Sequence, residues 1–398
     1  MDQVALEGSD RTWTQGIVRT AFAAAADAAP LAQLHAALGG DARAFELIIL
    51  FVTPEAETAP LIAEAKRLFA PARVIGCTTA GELTDTGYRE GGIVAIALPR
   101  SHFRAETLLV PDLSHLDAQA LIDRMIQNRS AMARDAPGWE HEFTFLMIDG
   151  LSTREDALTA ELAIGLGPVP LFGGSAGDGT RFARTHVLHD GHAHDHAAIL
   201  TQVRSRCPVR VFKSDHLLPT EKRMVVTGAD PARRIVHEIN AEPAAREYAR
   251  ILGKDPEQLT PFTFAAHPLV VQIGGQHHVR AIRQVAENGD LVFFSAIDEG
   301  LVLTLAEPRP MTEHLREEMA TLAAPGPPDI ILGCDCILRR LEAQEKQLTG
   351  ALSHLLSANR VIGFSTYGEQ LNSMHVNHTL TGVAIYPPDP DMPQEGAP

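Results

Sequence analysis

The sequence predicts an α/β protein made of two related mixed-sheet α/β domains from an internal duplication, the C-terminal one richer in β-hairpins. Three observations carry this expectation. Arg73 to Leu83, RVIGCTTAGEL, is written again at Arg360 to Leu371 as RVIGFSTYGEQL. Each copy follows an apolar run and an amphipathic helical stretch, and each precedes a β-rich run of one kind, Gly91 to Leu98 or Thr381 to Tyr386. A fainter third echo, VPLFGGSAGD at Val169 to Asp178, lies between them, behind the apolar Phe143 to Ile148 and the helical Arg154 to Leu166. The copies stand too far apart for a solenoid, so the repeat is a folding unit of strand, helix, strand, glycine turn and strand.

In chain order, Thr12 to Leu38 reads as an Ala-rich helix stopped by Gly39-Gly40. Phe45 to Val52 is a buried strand, Glu57 to Leu68 a helix with apolar residues at helical spacing, and Phe103 to Val110 a strand with alternating character. Ser114 is placed to cap a helix over Leu116 to Ala133, its oxygen accepting an otherwise orphan N–H. Asp190-Gly191 and Asn288-Gly289 mark hairpins, since a two-residue type I′ turn wants φ > 0 at both central positions. Ala241 to Leu252 is a short helix ending at Gly253, and Arg339 to Leu356 a longer amphipathic one. These readings divide the chain into an N-terminal helix region (1–35), an α/β domain (36–235), a β-richer α/β domain (236–387) and a Pro-rich tail (388–398) that is expected to be disordered.

Composition narrows the function. A formal net charge of −16 argues against nucleic acid and anionic membranes, whose recognition needs clustered Lys and Arg. The start has neither a basic n-region nor an apolar core, and no apolar run reaches the roughly 18 residues of a membrane span, so a cytoplasmic protein is expected. Four scattered cysteines fit a reducing compartment, and Cys334-Asp335-Cys336 is too tightly spaced for a zinc knuckle.

GCTTAGEL with GGIVAIAL, VHEINAEPAAREYARIL, and GFSTYGEQ with HVNHTLTGVAI together resemble the FIST family of sensory domains over nearly the whole chain. HPLVVQIGG, AIDEGLVLT and GEQLNSMHVNHTLTGVAI are most similar to the bacterial nitric-oxide-sensing haemoproteins of that family. The resemblance implies a sensor rather than an enzyme. It further implies haem b as cofactor, nitric oxide as signal, and a histidine kinase or a cyclic-di-GMP enzyme (diguanylate cyclase or phosphodiesterase) as partner, with self-association of the chain left open.

Three groups of residues are candidates for the site. Gly76, Thr78, Thr79, Gly81 and Glu82, with Gly363, Ser365, Thr366, Gly368 and Glu369, form two glycine turns. Each offers hydroxyls and a closing carboxylate to a small amine or acid, or else simply ends a buried strand with the Glu capping backbone N–H groups. Neither turn is a phosphate loop, because the GxxxxGK[ST] pattern is missing. For a haem ligand, His375 ranks first, beside the second turn and between Met374 and Val376; His237 and His378 follow. Finally, THVLHDGHAHDH would place His189, His192, His194 and His196 on one face of a hairpin, either a transition-metal site or a solvated tip. Three functions are open at this point: a haem sensor, a sensor of a small amino-acid-like ligand without haem, and a metal enzyme.

Overall fold

A computed structural model describes residues 16–273 and 275–388. Three units follow one another, each built as strand, helix, strand, helix, strand, hairpin, strand. The first comprises β1 (Arg19–Ala24), α1 (Pro30–Ala37), β2 (Phe45–Val52), α2 (Thr58–Leu68), β3 (Arg73–Thr78), the hairpin β4 (Glu82–Thr84) and β5 (Gly87–Arg89), and β6 (Gly92–Pro99). The second comprises β7 (Phe103–Val110), α3 (Ala118–Asp135), β8 (His141–Ile148), α4 (Glu155–Leu166), β9 (Leu171–Ser175), the hairpin β10 (Val187–His189) and β11 (His192–His194), and β12 (Ala198–Ser205). The third opens with β13 (Val209–Ser214) and is then interrupted by a β-rich insert.

That insert contains β14 (Leu217–Asp230), β15 (Ile235–Ile239), β16 (Glu242–Pro243), α5 (Ala244–Leu252), α6 (Pro261–Ala266), β17 (Leu269–Ile273), β18 (Gln276–Val279), β19 (Ile282–Val285), β20 (Leu291–Phe293) and β21 (Val302–Pro308), whose strands join in one sheet. The third unit resumes with α7 (Met311–Ala323), β22 (Ile330–Cys336), α8 (Ile337–Glu345), α9 (Thr349–Ala358), β23 (Val361–Thr366), the hairpin β24 (Glu369–Leu371) and β25 (Met374–Val376), and β26 (Leu380–Ile385). The fold is mixed α/β, as the sequence predicts, and the faint third echo is a complete unit.

Each unit makes a four-stranded core of one parallel and two antiparallel pairings: β1-β6-β2-β3, β7-β12-β8-β9 and β13-β26-β22-β23. Its hairpin, however, joins a neighbour's sheet. Val187 and Leu188 of the second hairpin pair with Cys77 and Gly76, Glu369 and Gln370 of the third pair with Gly174 and Gly173, and Glu82 and Leu83 of the first pair with Phe364 and Gly363. The exchange is cyclic and ties the three units into one body.

Strand patterning explains the layers. In β2 every residue is buried because both faces are covered. Leu47, Ile49 and Phe51 face a core shared by the three sheets, whereas Ile48, Leu50 and Val52 face α1 and α2. At the shared core Phe51 stacks on Phe364 (4.3 Å between ring centres) and meets Phe145 edge-on (6.4 Å). Burying each such ring contributes roughly 1.5–3 kcal/mol. Gly76, Gly173 and Gly363 are equivalent in the three units, and a side chain at any of them would run into a carbonyl of the adjacent strand, at Leu50, Leu146 or Gly333.

Several boundaries differ from expectation. The Ala-rich stretch is not one helix: Arg19–Ala24 is a strand because pairing with Gly92–Ala97 outweighs alanine's helix propensity, and only Pro30–Ala37 is helical. Thr12 to Gln15 lie outside the described residues, as does the tail from residue 389. Asp117, not Ser114, caps α3, accepting the Ala120 N–H at 3.0 Å. Arg339 to Leu356 is two helices, broken where Gln347 takes φ +57°. Among the described residues no helix is long and apolar enough to cross a membrane.

Candidate functional site

At the C-terminal ends of β3, β9 and β23 the chain turns, and six backbone hydrogen bonds close the turns into a ring. The N–H groups of Ala80, Gly177 and Tyr367 donate to the carbonyls of Ser365 (2.9 Å), Thr78 (3.0 Å) and Ser175 (3.1 Å). In return Thr78, Ser175 and Ser365 donate to His186 (3.0 Å), Gly368 (2.8 Å) and Gly81 (2.7 Å). The glycine turns therefore hold one another.

A cleft of about 260 Å³ opens over the first turn. Thr79, Gly81 and Glu82 form its base, Glu55 and Glu90 of the first unit and Arg181 of the second its rim, and Arg340 and Gln344 of α8 its wall. Arg340 is buried and reaches across units, donating to the Ala80 and Arg89 carbonyls (3.4 and 3.2 Å) and pairing with Glu90 at 2.8 Å. Gly81, at φ +124°, is needed there, since any side chain would strike that guanidinium. A second cross-unit pair, Arg181 to Glu55 (3.6 Å), spans the other side. Beneath them Glu82 accepts the Thr79 hydroxyl at 2.7 Å through Oε1, while Oε2 is buried without a hydrogen-bond partner. Burial pushes this carboxyl up to about 7, opposed by the Thr79 hydrogen bond, the nearby Gly92 N–H and the Arg340 charge.

The second sequence copy is closed. Glu369 takes the Thr366 hydroxyl on Oε1, and the Thr379 hydroxyl (2.7 Å) and N–H (3.2 Å) on Oε2. Burial raises it to about 8 against those bonds. The insert covers this turn, with Tyr367 packed among Val270, Val279, Ala281 and Phe294. Ser365 keeps its hydroxyl buried and unpaired.

The histidines divide sharply. His375 is buried beside Gly368; the Gln370 amide N–H lies 3.2 Å from its Nδ1, and its Nε2 has no partner. His237 is half exposed, its Nδ1 2.8 Å from Asp290. His378 is fully buried and donates from Nε2 to Glu342 Oε2 at 2.8 Å, where His216 also donates at 2.9 Å. Lys346 pairs with the other carboxylate oxygen at 2.7 Å. Although burial alone would raise Glu342, the two imidazoles hold it well below the usual carboxylate range.

His216, Glu342 and His378 are close enough to suggest a metal centre. Their protons say otherwise. The Arg339 guanidinium can only donate, and it lies 3.0 Å from His216 Nδ1. That nitrogen therefore accepts, and the proton sits on Nε2, where a cation would have to bind. Burial brings His216 down to about 4, consistent with a neutral ring. The cluster is a hydrogen-bonded lock between the insert, α8 and the last strand.

The histidine hairpin has the expected register, Val187 opposite His194 and His189 opposite His192. Its imidazoles do not converge: His189 Nε2 lies 3.1 Å from the Thr107 hydroxyl, His192 Nδ1 meets its own turn at the Asp190 carbonyl (3.1 Å), and His196 gives its backbone N–H to Asp149 at 2.6 Å. His192 and His194 stand 6.3 Å apart between ring centres.

Comparison with known families gives a direct answer. Residues 46–242 match the FIST N domain and residues 244–372 match the FIST C domain. The chain belongs to the FIST family. FIST domains are generally sensory domains of signalling proteins. A search of curated proteins finds no match. The cleft draws on both FIST parts, the turn and rim from FIST N and the α8 wall from FIST C.

A haem in this FIST protein would need a free imidazole nitrogen at the wall of an apolar slot. His375 and His378 are both buried with one ring nitrogen unpaired: the Gln370 amide donates to His375 Nδ1 and so leaves the proton on Nε2, whereas His378 donates from Nε2 and keeps Nδ1 without a partner. Burial lowers the pKa of His375, with smaller opposing effects from the charges of Glu155 and Asp156 and of Arg234 and Arg280. His378 is held by Glu342 at Nε2 alone, and His237 by Asp290 at Nδ1. Sequence reasoning missed Arg340, Glu55, Glu90, Arg181, His216 and Glu342, which carry no motif; the one legible signal was the pair Arg339-Arg340 directly after a buried strand.

Proposed function

We propose that this FIST protein senses a small zwitterionic, amino-acid-like molecule in the cleft over the first turn and reports it to a signalling enzyme. The observation that carries the reading is the pair of cross-unit ion pairs, Arg340–Glu90 and Arg181–Glu55, facing one cleft. A ligand carboxylate can replace Glu90 at Arg340, and a ligand ammonium can take up Glu55 and Glu90, so both charges are met by groups already in place. Occupancy then changes how the three units are tied, because each pair joins different units. A histidine kinase or a cyclic-di-GMP enzyme is the proposed recipient, as the family resemblance implies.

The test is a thermal-shift screen of amino acids and related zwitterions, followed by calorimetry on hits. We expect one class of zwitterion to stabilise the protein, and Glu90→Gln, exposed at the rim, to weaken its binding tenfold or more. Stabilisation untouched by Glu90→Gln and Arg181→Gln would move the ligand elsewhere. Stoichiometric haemin uptake giving a Soret band that shifts with nitric oxide, without any response to zwitterions, would sink this reading and restore the haem sensor.

A further inference from the structure

Of the acids that line the cleft, one is left over. Arg340 pairs with Glu90 (2.8 Å) and Arg181 with Glu55 (3.6 Å), while Asp178 accepts the N–H groups of Phe182, Ala183 and Arg184 at 2.8–2.9 Å. Glu82 remains, fully buried at the base, with Oε2 lacking a hydrogen-bond partner.

Every neighbour that could answer this oxygen is engaged elsewhere. Thr79 donates to Oε1 (2.7 Å), and the Gly92 N–H, though close to the carboxyl, leaves Oε2 unsatisfied. Arg89 stands opposite Glu82 in the β4–β5 hairpin but is exposed and turns to the Phe22 ring, 5.3 Å from its centre. Arg340 gives its hydrogen bonds to the Ala80 and Arg89 carbonyls (3.4 and 3.2 Å) and to Glu90, so it acts on Glu82 through its charge alone; Glu55 adds a repelling charge. A buried carboxyl oxygen left in this way calls for a donor.

The carboxyl also lies beside the arginine that would hold a ligand carboxylate. The Arg340 guanidinium occupies the space where a Gly81 side chain would stand, and Gly81 directly precedes Glu82. A molecule held at Arg340 by its carboxylate, with its α-ammonium toward Glu55 and Glu90, has Glu82 as the acceptor still open to its side chain. We infer, resting on the cleft reading above, that Glu82 Oε2 receives a second ammonium carried by the ligand side chain, so that the ligand class is the diamino acids. Burial holds the Glu82 carboxyl up at about 7, so near neutral pH it often carries a proton that this cation displaces. The proton passes to solvent, and affinity for a diamino acid rises with pH until Glu82 is ionised.

Titration calorimetry of the full chain tests this with ornithine, lysine and norleucine, in which a methyl group replaces the terminal ammonium of ornithine. At pH 8 the better diamino acid should bind at least about tenfold more tightly than norleucine, a preference that shrinks toward pH 6 as Glu82 takes up its proton. At pH 7, in two buffers of different ionisation enthalpy, the diamino acid should release about half a proton and norleucine none. Glu82→Gln should bring the two ligands within about twofold of each other and abolish the proton release. Should that variant fail to fold, proton release by the wild type decides alone. Norleucine binding as tightly as the diamino acids at every pH, or a diamino preference that survives in Glu82→Gln, would overturn this assignment and leave the cleft reading standing if Glu90→Gln still weakens binding. No binding of any zwitterion, or binding indifferent to Glu90→Gln, would overturn both.

Discussion

The two glycine turns end in the same carboxylate, but only one of them is sealed. Glu369 has Thr379 at its second oxygen, while Glu82 has Gly92 in the equivalent place: the carbonyl of Thr379 receives the Cys336 N–H (3.0 Å) as that of Gly92 receives the Thr53 N–H (2.9 Å). Gly92 offers no hydroxyl, and the reason lies one strand away, because a side chain there would run into the Phe22 ring of β1. The third turn is also roofed by the insert, whereas the first lies under an open cleft. The same local sequence is therefore a structural lock in one unit and the floor of a site in another. Strand geometry decides the backbone of the motif, and its neighbours decide its use.

The largest expected effect concerns pH. Both carboxyls are raised in the folded protein, to about 8 for Glu369 and about 7 for Glu82, so the folded state keeps protons that the unfolded state releases. Their contribution is fully present below the unfolded carboxyl pKa of about 4.3 and is lost as pH rises through the folded values, at up to about 1.4 kcal/mol per pH unit for each group. Urea unfolding of wild type, Glu369→Gln and Glu82→Gln from pH 5 to 9 should show the first variant flattening the decline over the wider window and the second over the narrower one. Identical slopes in all three proteins would remove the electrostatic side of the comparison.

Truncation should separate the turns next. Glu369→Ala leaves the Thr379 N–H and two threonine hydroxyls buried without an acceptor, which should cost about 3 kcal/mol. Glu82→Ala removes the acceptor of the Thr79 hydroxyl and the carboxylate beside the Gly92 N–H, and should cost about 1 kcal/mol, while reducing ligand affinity in the cleft. Chemical denaturation measures both, and equal losses would mean the two carboxylates are equally structural. Gly92→Ser tests why the first turn is open: if the Phe22 ring is the obstacle, overpacking should cost about 1–3 kcal/mol even though the new hydroxyl could reach Glu82. A stabilised Gly92→Ser protein would show that the opening has another cause.

How much of this was legible in the sequence follows the range of the interactions. The repeated motif, the apolar strands and the Asp190-Gly191 hairpin register depend on near neighbours and were readable. The second unit was faint because its turn has Ala176 where the others have Thr79 and Thr366, and a loop delays its hairpin to Val187. Hairpin exchange was not readable, since it pairs Glu82 with Phe364 across 282 positions of chain. Arg340 escaped because charged positions of an amphipathic helix normally face water, whereas α8 is wedged between ring and insert and buries Arg339, Arg340 and Glu342. The histidine hairpin shows the converse: its register was right, but geometry alone gives no convergence of ligands when the His189 and His192 rings find their own nearby partners.

The smallest change is the sharpest. Thr379→Val keeps the shape and the backbone N–H to Glu369 but removes the hydroxyl, making the sealed turn resemble the open one by a single hydrogen bond. That bond is worth about 1 kcal/mol, and this is the expected loss near pH 5. The hydroxyl also helps to hold the carboxyl down, so without it burial pushes Glu369 further above about 8, and the decline of stability with pH should continue to higher pH than in wild type. A uniform loss at every pH would assign Thr379 to packing alone. A loss that deepens above pH 8 would show that the threonine, absent at Gly92, is what distinguishes the lock from the site.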